Sequence, residues 1–233
     1  MKFKLIESLL TEASVIIHDE LNPVLWDGMT LRDEVRTKIL DLVKEFQSTL
    51  DIPLTILDIN IVGSNASYNY TEKSDVDVHI VTNFEEYGYP QELVQAAMNS
   101  FKSNFNTKYD VTYGGFNVEV YVEDVKSAPQ SNGIYSVVDN EWIKEPVKLD
   151  PISVDLEPEY SEMTDRINSI LTSGTEQDII NVIDDLYVIR RNSLVQGGEF
   201  GKGNLIFKQI RNDGLLDALK DRRVELASQE LSI

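Results

Sequence analysis

The sequence predicts an α+β protein: a mixed β-sheet with helices over residues 1–150, then a helical subdomain over 151–233. Three observations predict it. Between residues 54 and 122 short runs alternate apolar and polar side chains, the period of a half-buried strand. From residue 159 onward the apolar period becomes helical. Between these stretches Pro129, Pro146, Pro151 and Pro158 punctuate a signal-poor segment, residues 124–157, which reads as a crossover between the halves.

The elements follow in order. Residues 2–17 read as an amphipathic helix with Leu5, Leu9, Leu10 and Ile16 on one face. The same start, with Leu10-Thr11-Glu12, also resembles the short leader that is cleaved from proteins packaged into tailed-phage heads; loss of residues 1–12 would be its signature. The loop LNPVLWDG leads to a helix over about Thr30 to Thr49, with Thr30 as N-cap and Leu31, Val35, Ile39, Leu42 and Phe46 at helical spacing. A strand is expected over 54–62, then a Gly-Ser turn, then a second strand ending at Val81. Pro90 opens a helix to about Asn104, because proline is well tolerated at a first helical position. Residues 109–113 and 116–122 read as a hairpin across Gly114-Gly115. In the last third, helices are expected over 159–172, 176–195, 204–212 and 215–227, with a break at Gly197, Gly198, Gly201 and Gly203.

Composition narrows the chemistry. The chain has 233 residues, 42% of them hydrophobic, enough to bury a core. No run approaches a membrane span, and Glu7 and Glu12 interrupt what a secretory signal would need to keep apolar. There is no cysteine, and His18 and His79 are the two histidines, so disulfide, thiol and His-based zinc chemistry have no material to work with. Forty acidic against 21 basic residues give a net charge of −19. Such a field repels a long nucleic-acid duplex, whose binding rests on Lys and Arg, and leaves a small molecule, a protein or an RNA end as partner. Chemistry must therefore rest on carboxylates, hydroxyls and an added metal.

One stretch carries that chemistry. Gly63-Ser64 stands ten residues ahead of Asp75-Val76-Asp77-Val78. On a strand Asp75 and Asp77 share one face while Val76 and Val78 enter the core. Neighbouring carboxylates repel unless a cation lies between them, and Mg²⁺ takes oxygen ligands from as few as one or two carboxylates. An EF-hand is excluded: from Asp75 its sixth position, which must be Gly, is Ile80.

Val62, Gly63, Ser64, Ser74, Asp75, Val76, Asp77 and Val78 together resemble the signature of the DNA polymerase β-type nucleotidyltransferase superfamily. The chain departs from it at Asn65 to Tyr68, where relatives often carry an Arg and a second Gly. LNPVLWDG and the late RRNSLVQGGEFGKGNLIFKQIRNDG resemble uncharacterised phage-encoded members. The resemblance implies a nucleotidyltransferase core, two Mg²⁺ ions (Mn²⁺ being an alternative) on Asp75 and Asp77, and a third carboxylate on a nearby strand. In FNVEVYVED that acid is Glu119, with Glu123 and Asp124 as alternates. Gly63, Ser64 and Ser74 would hold the phosphates of an NTP donor. Among the late basic residues Arg190, Arg191, Lys202, Lys208 and Arg211, Arg191 and Lys208 are the first choices to grip the β and γ phosphates, against pairing with Asp184, Asp185 and Asp213.

The activity implied is transfer of an NMP to an acceptor hydroxyl with release of pyrophosphate; the alternative is a non-catalytic nucleotide-binding or phage interaction protein that retains the fold. A phage origin would place the protein in the host cytoplasm or the phage head. His79 shares the face of the aspartates and reads as a packed or hydrogen-bonded strand histidine rather than an acceptor contact. Trp26 and Trp142 read as core anchors. GGEFGKGN fails as a P-loop, because three residues separate Gly197 from Gly201 and Gly203 follows Lys202.

Overall fold

Strand alternation decides which side chains leave water, and so which face of the sheet the helices cover. The computed structural model describes residues 12–14, 17–127, 131–148 and 153–232. Its strands are β1 (Glu12–Ser14), β2 (Trp26–Asp27), β3 (Thr30–Leu31), β4 (Asp58–Val62), β5 (Val76–Thr82), β6 (Thr112–Tyr113), β7 (Phe116–Asp124), β8 (Ile134–Ser136), β9 (Glu141–Lys144) and β10 (Ser153–Asp155). Its α-helices are α1 (Asp33–Ser48), α2 (Gln91–Lys108), α3 (Glu159–Ser173), α4 (Glu176–Gly197), α5 (Lys202–Asn212) and α6 (Leu215–Leu231). The protein is thus α+β, and its main sheet is mixed.

That sheet has six strands in the order β6-β7-β5-β4-β8-β9. The β5–β7 pair is parallel and the other pairs are antiparallel. A parallel pair needs a crossover, which α2 supplies. Val76, Val78 and Ile80 of β5, Ile59 and Ile61 of β4, and Val120 and Val122 of β7 pack with Val35, Ile39, Val43 and Phe46 of α1 and Val94, Met98 and Phe105 of α2. Burial of a side chain such as Ile61, wholly removed from solvent, contributes about 1.5–3 kcal/mol. The intervening residues, Asp77, His79, Glu119, Tyr121 and Glu123, lie on the opposite face.

The chain resolves into two compact units, Ile16–Asp150 and Pro151–Ile233 together with the N-terminal strand β1. The second unit has its own core of Leu156, Ile167, Ile179, Val182, Leu186, Phe207, Ile210 and Leu219. Among the described residues no helix is long and apolar enough to cross a membrane.

Three expectations need correction. The helix expected from Thr30 begins at Asp33, with Arg32 at the N-cap position, because Thr30 and Leu31 instead pair with Asp27 and Trp26 across Gly28, whose φ is +59°. Residues 124–157 are not a bare crossover: β8 and β9 within them extend the main sheet, and β10 pairs with β1. The helix expected over 2–17 is a strand at Glu12–Ser14; its remaining apolar positions, and the proposed leader, fall mostly outside the described residues.

Candidate active site

The register of β5 on β7 brings the acids together. Asp77 and Glu119 are direct partners across the parallel pair, and on its other side Asp77 is the partner of Val62. Directly opposed residues share a face, so the carboxylates of Asp77 and Glu119 project side by side. Asp75 lies one residue before β5 with the same parity as Asp77. All three are half-buried.

Gly63 ends β4 and turns the chain over Asp77. Its φ is +78°, and a Cβ built there would lie 2.3 Å from Asp77 Oδ2. Glycine is required both for the left-handed backbone and for this approach. Its amide donates to Ser131 Oγ at 3.0 Å, which ties the turn to the segment before β8. Ser64 and Ser74 do come together: Ser64 Oγ donates to Ser74 Oγ at 2.8 Å, and Thr71 N–H donates to the same oxygen at 2.9 Å.

Asn65, where the chain departs from the family signature, is a fully buried latch. Its Nδ2 donates to the Asp75 carbonyl at 3.0 Å, its Oδ1 accepts from Asn22 Nδ2 at 2.8 Å, and its carbonyl accepts from Trp26 Nε1 at 2.7 Å. An Asn-based link thus ties the turn to the start of β5. Trp26 packs on Trp142 and Tyr135 and is itself buried, so it anchors the core as expected.

Two residues at the site have no counterpart in the sequence reading. Tyr121, two positions beyond Glu119 on the same face, donates its hydroxyl to Glu119 Oε2 at 2.5 Å. Burial pushes its phenol far above the usual range, reinforced by that hydrogen bond and by the charges of Asp77, Glu119 and Asp75. Lys102 of α2 lays its ammonium 3.7 Å from the centre of the Tyr121 ring. Burial draws its pKa down, and Glu119 and Asp77 oppose that shift. Tyr121 was legible in principle, since alternation places it beside Glu119; Lys102 carried no local signal.

The alternates for the third acid have other duties. Glu123 Oε2 lies 2.9 Å from His79 Nδ1, so His79 is a hydrogen-bonded strand histidine. Asp124 is buried, accepting from Phe84 N at 3.2 Å and Gln91 Nε2 at 3.0 Å. Arg191 lies exposed on α4 and Lys208 half-buried on α5, both in the helical unit. Of the basic residues near them, Lys202 pairs with Glu159 at 2.7 Å, and Arg190 stacks on Phe207 at 4.8 Å.

The donor set suits a hard cation. Asp77 and Glu119 offer oxygens on one face, and the space that a side chain at position 63 would fill lies against Asp77 Oδ2, which meets the demand of Mg²⁺ for one or two carboxylates. Among the described residues no three His, Asp or Glu side chains are drawn close enough to grip an ion as they stand.

No family model matches the chain, and no curated protein matches it. Among solved structures, one similar to it is described as Rhodothermus marinus CdnE c-UMP-AMP synthase with Apcpp and Upnpp, at 14% identity over 80% of this chain and 77% of that one, with a TM-score of 0.26. So slight a likeness carries neither fold nor function.

Proposed function

We propose that the protein is a metal-dependent nucleotidyltransferase that moves an NMP from an NTP to an acceptor hydroxyl and releases pyrophosphate. The observation that carries this reading is the direct opposition of Asp77 and Glu119 on β5 and β7, with Gly63 folded onto the Asp77 carboxylate. Asp75, Asp77 and Glu119 would hold Mg²⁺ or Mn²⁺, which when bound supplies a Lewis acid for the phosphates and lowers the pKa of the attacking hydroxyl.

The chain's own groups do the rest. Gly63 clears the approach to Asp77, and Ser64, fixed by Ser74, presents its main chain beside the donor's phosphates. Tyr121 occupies Glu119 Oε2, leaving Oε1 to receive the acceptor's proton as the acceptor oxygen bonds to the α-phosphorus and the bond to the bridging oxygen breaks.

Incubation with each labelled NTP, Mg²⁺ and cell extract as acceptor source tests the reading. Pyrophosphate release and a labelled acceptor are expected, with release falling more than about a hundredfold in Asp77→Ala and Glu119→Gln. Release that persists unchanged in Asp77→Ala would remove the mechanism.

A further inference from the structure

Residues 63–75 join β4 to β5 and include Gly63, Ser64, Ser74 and Asp75, so whatever fixes this connection also fixes one acid of the site. A connection this long holds a single conformation only where outside contacts offset its entropy. The segment LNPVLWDG and the residues just before it supply such contacts. Asn22 Nδ2 donates to Asn65 Oδ1 at 2.8 Å, and Trp26 Nε1 donates to the Asn65 carbonyl at 2.7 Å. Slightly earlier in the chain, His18 N–H donates to the Tyr68 carbonyl at 2.7 Å, and the His18 ring stacks on Tyr70 with centroids 3.9 Å apart.

The side chain of Asn22 imposes a direction on that of Asn65. Its Oδ1 accepts from Val24 N–H at 3.1 Å, which turns its Nδ2 toward Asn65. A donor at that point calls for the oxygen of the Asn65 amide. The Asn65 nitrogen then faces the start of β5, where it donates to the Asp75 carbonyl at 3.0 Å and lies 3.4 Å from the Ser74 carbonyl. Donor and acceptor alternate without a break from Val24 through Asn22 and Asn65 to Asp75. Asn22, Trp26 and Asn65 are buried, so water has little access, and loss of one link leaves a buried polar atom unpaired.

We propose that Asn22 sets the direction of the Asn65 amide and thereby positions the main chain of Asp75 for ion binding, so that LNPVLWDG is a brace of the candidate active site as well as part of the core. Asn22 and Asn65 touch neither ion nor substrate, and both are positioning residues. They act on the Asp75 carbonyl, so the role does not depend on what the Asp75 carboxylate contacts. The inference rests on the reading of Asp75, with Asp77 and Glu119, as ligands of a divalent ion.

The test is Mn²⁺ titration of the full chain, with free Mn²⁺ followed by electron paramagnetic resonance and the Asp75 carbonyl ¹³C shift read by NMR. Asn22→Leu removes the residue that directs the amide, and Asn65→Leu removes the amide itself. Each is expected to bind Mn²⁺ about tenfold more weakly than the wild type and to move the Asp75 shift. Because the two act in series, the double variant should bind no more weakly than Asn65→Leu alone. Val43→Ala, a core truncation in the same unit, should lower the melting temperature yet keep both the Mn²⁺ affinity and the Asp75 shift. Trp26→Phe keeps a ring and loses one hydrogen bond to Asn65; it should change both readouts in the same direction by less, and it carries the test if the leucine variants do not fold. If the wild type binds Mn²⁺ and the folded variants bind it equally well, or lose no more than Val43→Ala does, the positioning role is overturned and the divalent site stands. If the wild type binds no Mn²⁺, the reading of the carboxylates is overturned and the positioning role goes with it.

Discussion

Asp77 is bounded by Gly63 on one strand and Glu119 on the other, so the site responds to changes at residues that carry no charge. An alanine at position 63 would put a methyl group 2.3 Å from Asp77 Oδ2 at a φ of +78°. A backbone at φ +78° and ψ −160° costs about 1–3 kcal/mol for a residue with a Cβ, and the carboxylate must move. Gly63→Ala is therefore expected to lower the melting temperature and to reduce Mn²⁺ affinity and pyrophosphate release together, more than about tenfold for each; a variant that loses stability yet keeps full ion affinity would show that the close approach has no part in the site. At this scale much of the site was legible. The alternation around Asp75-Val76-Asp77 and in FNVEVYVED places its acids on one face each, because strand periodicity is local. The Gly63–Ser131 hydrogen bond, the Asn65 latch and the place of Lys102 were not legible, because each depends on a residue distant in the chain. Ser131 lies 68 positions from Gly63 in the chain, and no spacing rule reaches it.

Elements were legible where their period ran long and obscure where it was short. Helix α4 is clear in the sequence, and its start shows why: Thr175 and Asp178 form a reciprocal capping box, with Asp178 N–H donating to Thr175 Oγ1 and Thr175 N–H donating to Asp178 Oδ2. The three residues of β8 span too little chain to display alternation, and the prolines around them signal loop. Likewise Thr30 has the chemistry of a cap but is taken by the small β2–β3 hairpin. The capping box makes a pH prediction. Hydrogen bonds from the Thr175 side chain and then its backbone hold the Asp178 carboxyl below its ordinary 3.8. A depressed folded-state pKa stabilises above the unfolded value, and the contribution is lost as pH falls through the folded one. Thr175→Ala should destabilise the helical unit by about 1 kcal/mol near neutrality, and its gap from the wild type should narrow once the pH drops below 3.8. Thermal unfolding followed by circular dichroism at both pH values checks it; a gap that widens in acid contradicts the capping role.

Over the whole molecule, the helical period is legible from residue 159 onward, and among the described residues the structure has two cores with no shared member. Residues 1–20 read from sequence as a helix or leader ahead of the sheet core, whereas β1 (Glu12–Ser14) pairs with β10, a long-range antiparallel match that local pattern cannot reveal. Separate cores predict separate cooperative transitions. Ile179 and Ile61 are each wholly buried, one in each core, and truncation of either to alanine should cost about 2–5 kcal/mol. In scanning calorimetry Ile179→Ala is expected to lower one component and leave the other in place, while Ile61→Ala does the converse. Divalent ion supplies an independent marker. A ligand stabilises what it binds when folded, and the carboxylate face belongs wholly to the sheet unit, so Mn²⁺ should raise the component that Ile61→Ala lowers and spare the one that Ile179→Ala lowers. If Mn²⁺ and both substitutions all shift one and the same transition, the two cores unfold as one and the separation is refuted.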